Sequence, residues 1–178
     1  GGVSGLTAAL EASKTGYQVV LVEKSASLGG WAAALHRRMP LREPYADPQD
    51  TGMAGLIKEV TSDANIKGIT NAVIAKTDGA PGRFKVDISV ESGPSLTEEV
   101  GAIIQATGFT TYDIAKLPEL GGGKSPNVID QAGLERLAKE AASRGQPIRR
   151  PADGGEVKTV VFVQCAGQRD ESGTHLAY

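Results

Sequence analysis

The most constraining feature of this chain is the glycine spacing at its start. The order is Gly1-Gly2-Val3-Ser4-Gly5, a helical pattern, Gln18-Val19-Val20-Leu21-Val22-Glu23, then Leu28-Gly29-Gly30-Trp31. A strand feeding G-x-G-x-x-G, a helix, and an acidic residue about 20 positions on form the fingerprint of a dinucleotide-binding βαβ unit. Gly2 and Gly5 fit its second and third glycines. The first glycine and first strand would precede residue 1. Glu23, 18 positions after Gly5, fits the acidic position. At Gly2 the missing Cβ lets a pyrophosphate approach the backbone, and at Gly5 it lets helix and sheet pack closely. The helix N-terminus offers unpaired N–H groups to phosphate, and Glu23 can accept hydrogen bonds from ribose hydroxyls.

Two further signals follow in order. Glu23-Lys24 and Gly29-Gly30 give E-x-x-x-x-x-G-G, a second glycine turn where a phosphate or ribityl chain could lie against backbone. Ala106-Thr107-Gly108 follows a run ending at Gln105, an A-T-G that brings bare backbone towards a cofactor. Either alone fits an ordinary cap or strand exit; their order and spacing favour the nucleotide reading.

Between these signals the hydrophobic period changes. Val3, Leu6, Ala9, Leu10 and Ser13 share a helical face, and Gly16 is a stop signal. Residues 17–23 read as a buried parallel strand. Residues 31–38 and 52–62 read as helices and 65–70 as a short strand. Residues 71–77 read as a strand and 78–82 as a turn. Phe84, Val86, Ile88 and Val90 then alternate with polar residues, as in a half-buried antiparallel strand. A buried strand is expected at 100–105, a helix capped by Asp130 to Ser143, and another buried strand at 157–164. Asp78, Asp113 and Asp130 read as turn and cap residues. The expected fold class is α/β: a Rossmann-like FAD/NAD(P)-binding fold with a parallel sheet and an inserted antiparallel meander, its first strand missing. The expected domains are an N-terminally truncated FAD-binding domain over 1–150, and a linker with the first strand of a following segment over 151–178.

Composition narrows the function classes. With 19 basic and 21 acidic residues, the net charge of −2 gives no footprint for nucleic acid. No apolar run approaches the ~20 residues a membrane span needs, so no direct membrane insertion is expected. The single cysteine, Cys165, excludes an internal disulfide framework. A cytoplasmic protein is expected, or one docked to a membrane complex.

Leu28-Gly29-Gly30-Trp31-Ala32-Ala33, Ala106-Thr107-Gly108-Phe109, Lys124-Ser125-Pro126 and the V-Q-C-A-G-Q-R-D of residues 163–170 resemble the A-type subunit of heterodisulfide reductase. That family includes related flavoprotein subunits of quinone-interacting oxidoreductases, within the superfamily of flavoproteins with two dinucleotide-binding domains. The resemblance covers essentially the whole chain. It implies an FAD-dependent oxidoreductase subunit that passes electrons between flavin and iron–sulfur centres, with other subunits of a redox complex and iron–sulfur proteins as partners. It implies no catalytic acid or base. The cofactor-binding residues would be Gly1, Gly2, Ser4, Gly5, Glu23, Lys24, Gly29, Gly30, Trp31, Val73, Thr107 and Gly108. Cys165 would ligate an iron–sulfur cluster only in a longer parent protein, because a cluster needs about four thiolates; within this chain it fits a small apolar thiol. The redox C-x-x-x-x-C of glutathione-reductase-like enzymes is absent, since Trp31-Ala32-Ala33-Ala34 stand there. The fragment is therefore expected to be inactive alone. His36, Arg37 and Arg38 could meet a phosphate or simply be solvated, and His175 is expected to be exposed. A stand-alone NAD(P)H-dependent flavin oxidoreductase and a non-catalytic FAD-fold binding protein remain as alternatives.

Overall fold

The computed structural model describes residues 1–167 and divides into two compact units, Gly1–Phe109 and a second beginning at Thr110. The element order in the first unit is α1 (Val3–Lys14), β1 (Val19–Val22), α2 (Gly30–Ala34), α3 (Met53–Ser62), β2 (Ile66–Ile69), β3 (Ala72–Ala80), β4 (Arg83–Val90) and β5 (Leu96–Val100). β1 and β2 pair in parallel, Val19 opposite Ile66 and Val22 opposite Ile69. β3, β4 and β5 form a separate antiparallel sheet in that order.

The parallel pair is covered on both faces, as its nearly unbroken apolar sequence requires. Leu6, Ala9 and Leu10 of α1 and Met53 and Val60 of α3 pack with Leu21 and with the partly buried Val19. Val20, Val22 and Ile69 pack instead with Ala72, Val86 and Ile88 of the meander. Successive side chains of β1 thus enter two cores, following the period of two of a strand. Ser13 joins the helical layer to the loop before β2: its hydroxyl donates to Asp63 Oδ2 at 2.6 Å. Gly16, at φ +92°, turns the chain between α1 and β1.

Several expectations need correction. The helix expected over 31–38 is only α2, because Leu35 is extended and Arg38 exchanges two backbone hydrogen bonds with Gln49. Tyr17 is exposed, outside β1. β3 runs through Asp78 to Ala80, so the expected turn shrinks to Pro81-Gly82 and Asp78 lies in the sheet opposite Lys85. The strand expected at 100–105 is displaced backwards: β5 ends at Val100, and Ile103 and Ile104 are exposed. The strand expected at 157–164 does not form, and Val160, Val161, Phe162 and Val163 are all exposed. Beyond Val100, which pairs with Phe84, and the Val157 N–H, which donates to the Ile148 carbonyl, neither stretch has a ladder with a described strand, and an apolar run without such a ladder is not a strand.

In the second unit α4 spans Gln131–Ser143, with Asp130 Oδ1 accepting from the Gly133 N–H at 2.8 Å. Its expected inward residues, Leu134, Leu137, Ala138 and Ala141, are half-buried. Asp113 caps a 3-10 turn, Ile114–Lys116, as its reading as a cap requires. Residues 168–170 of the cysteine motif and His175 lie outside the described residues.

Candidate dinucleotide site

The two glycine turns of the opening sequence meet. Gly2 and Gly29 form an isolated parallel bridge, and the Gly29 N–H donates to the Gly1 carbonyl at 2.7 Å. A Cβ built on Gly30 would stand 3.0 Å from the Gly2 Cα. Gly29 and Gly30 both have positive φ, +112° and +52°. A side chain at Gly29 would be strained, and its Cβ would fall 2.5 Å from that of Ala33. Bare backbone therefore lines both sides of this junction, beside the start of α1. There Gly2 is the N-cap, without a side-chain cap, and the first turn holds no acidic residue. The early N–H groups of α1 therefore have no side-chain acceptor from the helix itself.

Glu23 follows directly on the carboxyl end of β1, against Gly1. Its Oε2 is 2.9 Å from the Gly1 ammonium, with the carboxylate only 11% exposed. Oε1 accepts from the Ser25 N–H at 2.7 Å. Burial alone would raise its pKa, but the Ser25 backbone N–H, the terminal ammonium and the Ser25 side chain together hold it below the ordinary value. It is therefore a charged acceptor near neutral pH, as a ribose-binding carboxylate must be.

Other expected residues gather here by backbone contact. The Ala72 N–H donates to the Glu23 carbonyl at 3.0 Å, so β3 begins beside Glu23 with the half-exposed Val73 one residue on. Ala106 lies beside Gly5: a Cβ on Gly5 would lie 3.4 Å from that of Ala106 and 3.8 Å from Leu21 Cδ1. That is ordinary contact, so the close packing expected at Gly5 leaves room for a methyl. Thr107 and Gly108 follow, exposed, with Gly108 at φ +71°. Ser4 and Lys24 are exposed. Cys165 is an exposed free thiol in a turn at φ +54°, in the other unit. Phe109, marked in the sequence only as the last residue of A-T-G-F and given no role there, stacks on Trp31 with ring centroids 6.0 Å apart. An aromatic directly after A-T-G was the only hint.

This fold and this meeting of glycine turns define a Rossmann-type dinucleotide-binding unit. Residues 1–57 match the family described as NAD(P)-binding Rossmann-like domain.

Over nearly its whole length the chain is similar to the A-type subunits of heterodisulfide reductases. It is 28% identical to the second A-type iron–sulfur subunit of the CoB–CoM heterodisulfide reductase of Methanopyrus kandleri, covering 98% of this chain and 38% of that protein. It is 25% identical to the A-type subunit of the H2:CoB–CoM heterodisulfide, ferredoxin reductase of Methanothermobacter marburgensis, covering 96% and 37%. With the A-type subunit of the ferredoxin/F420H2-dependent CoB–CoM heterodisulfide reductase of Methanosarcina acetivorans it shares 24%, covering 97% and 31%. The chain thus spans between 31% and 38% of the length of these relatives. The Methanopyrus match extends over 250 positions, of which 98% of a 178-residue chain fills about 174. The relative's matched stretch is accordingly longer by roughly 76 residues.

Proposed function

We propose that this chain is the FAD-binding stretch of an electron-transfer subunit in a heterodisulfide-reductase-type oxidoreductase. The observation that supports it most is the junction of Gly1-Gly2 with Gly29-Gly30, with Glu23 in contact with Gly1 and Trp31 next in sequence after Gly30. A dinucleotide fits this order. Glu23 accepts the ribose hydroxyls. The N–H groups at Ser4 and Gly5 and the bare backbone of Gly2 and Gly30 face the pyrophosphate. Thr107 and Gly108 close the site beside Gly5, Val73 edges the adenosine end, and Lys24 stands next to the acidic anchor. When bound, the isoalloxazine supplies both one- and two-electron exchange, and the protein supplies binding, orientation and electrostatics.

Iron–sulfur chemistry does not fit the residues of this chain alone. Cys165 is its only cysteine, and no cluster of three or more possible ligands occurs among the described residues. An iron–sulfur partner, or further cysteines of a longer parent that join Cys165, would hold the cluster. The other subunits of a redox complex are the proposed electron partners. Among the described residues no helix is long and apolar enough to cross a membrane, and the proposed location is the cytoplasm.

A stand-alone NAD(P)H-dependent flavin oxidoreductase would use a second glycine fingerprint after a second parallel strand. Within this chain, residues 160–167 offer only a degenerate start of one, with Cys165 where a glycine would stand. The test is FAD retention after gel filtration. The wild-type chain is expected to keep a flavin spectrum and Glu23→Ala to lose affinity by about tenfold, the scale of a charge-assisted hydrogen bond. Equal retention by the variant would contradict the ribose role.

A further inference from the structure

Two aromatic side chains stand where the glycine turns end. Trp31 follows Gly30 in α2, and Phe109 follows Gly108 after the meander. Their rings lie 9° from parallel with centroids 6.0 Å apart, inside the 4.5–7 Å range of offset aromatic pairs. Neither joins a hydrophobic core of its unit. Trp31 is 38% and Phe109 70% exposed, so a large apolar ring surface stays in water despite the stack.

Building on the dinucleotide reading above, we propose that the Trp31–Phe109 stack is the shelf for the redox-active ring system, and that it makes the site select a flavin over a nicotinamide dinucleotide. The order of groups carries the assignment. Glu23 bonds Gly1, Gly2 bridges Gly29, and Gly30 leads into Trp31. A dinucleotide with its adenosine ribose at Glu23 and its pyrophosphate at Gly2 directs its other end towards Trp31 and Phe109. What lies at that end decides the gain. Three fused flat rings extend a parallel aromatic stack and cover its exposed face, whereas a single charged nicotinamide ring covers much less. Phe109 thereby acquires a role in specificity that the A-T-G motif does not give it.

The test compares FAD, NAD⁺ and ADP-ribose, which lacks any ring at that end, by equilibrium dialysis with the 178-residue chain. FAD is expected to bind more tightly than ADP-ribose, and NAD⁺ about equally to it. Phe109→Ala should weaken FAD by about 3- to 10-fold, the scale of an aromatic pair, and leave ADP-ribose unchanged. Because Phe109 is exposed, folding survives the change. Phe109→Tyr should bind as the wild type does. The spectroscopic signature is bound-flavin emission, quenched by contact with the Trp31 indole and brighter in Trp31→Phe, which keeps a ring in place. FAD that binds equally to wild type and Phe109→Ala, with emission unchanged in Trp31→Phe, would overturn the shelf and leave the dinucleotide site standing. Failure of both FAD and ADP-ribose to bind would overturn the site and the shelf together.

Discussion

Val19-Val20-Leu21-Val22 and Val160-Val161-Phe162-Val163 are nearly the same in chemistry and opposite in fate. The first is a strand with Leu21 7% exposed; the second is no strand, with Val161 81% exposed. Both are short, β-branched and apolar, and local propensity cannot separate them. The difference lies in what else the chain brings to each. Val19 donates to Asn65 O and Glu23 to Ile69 O, while α1 and α3 cover one face and the meander the other. At 160–163 no described strand supplies such a ladder. An apolar run states that a segment could be a strand; neighbours far away in sequence decide whether it is.

The largest test of this contrast is a pair of truncations. Leu21→Ala should destabilise the first unit by about 2–5 kcal/mol, the cost of emptying a buried leucine site. Val161→Ala should change stability by no more than about 0.5 kcal/mol. Urea unfolding followed by far-UV circular dichroism reads both units, and emission of the only tryptophan, Trp31, reads the first alone. A comparable loss in both variants would break the comparison.

Gly29→Ala comes next. With φ at +112° and a Cβ 2.5 Å from that of Ala33, it should cost about 1–3 kcal/mol of backbone strain and lower FAD retention as the glycine junction is displaced. Normal stability and retention would show that the junction tolerates a side chain.

Gly5→Ala should have a smaller effect. Its Cβ meets Ala106 at 3.4 Å, and alanine gains about 1 kcal/mol of helix propensity over glycine, so thermal unfolding is expected to stay within about 1 kcal/mol of wild type. A large loss would mean that the α1–sheet spacing is tighter than this geometry.

The smallest expected effect is a pH dependence at Glu23. A carboxylate whose pKa is lowered in the folded state contributes stability that is fully present above its unfolded value, near 4.5, and is lost as pH falls through the folded value. Glu23→Gln should flatten that part of the acid-unfolding curve. An unchanged curve would remove Glu23 from the linkage.

The sequence made legible what is decided nearby. The buried face of α1 from Leu6 to Ser13, the strand ending just before Glu23, the alternation of β4 and the Asp130 cap follow from spacing within one element, whereas Val3, read on the same helical face, is 49% exposed. It misplaced what depends on distant partners: the strands at 100–105 and 157–164, and the full length of the helix after Gly30, which the Arg38–Gln49 pairing cuts short. The candidate site divides the same way. Each glycine turn was legible alone. Their junction at Gly2, Gly29 and Gly30 was not, because it joins segments on either side of a strand. The stacking of Phe109 on Trp31 was invisible for the same reason, since the whole meander separates them in sequence.

Amide hydrogen exchange of the chain with and without FAD tests the central claim, that these separated glycine turns form one flavin site. The expected result is slower exchange at three segments together, residues 1–5, 29–31 and 107–109, with residues 157–163 unaffected. Protection at only one segment, at 157–163 instead, or at none would contradict it.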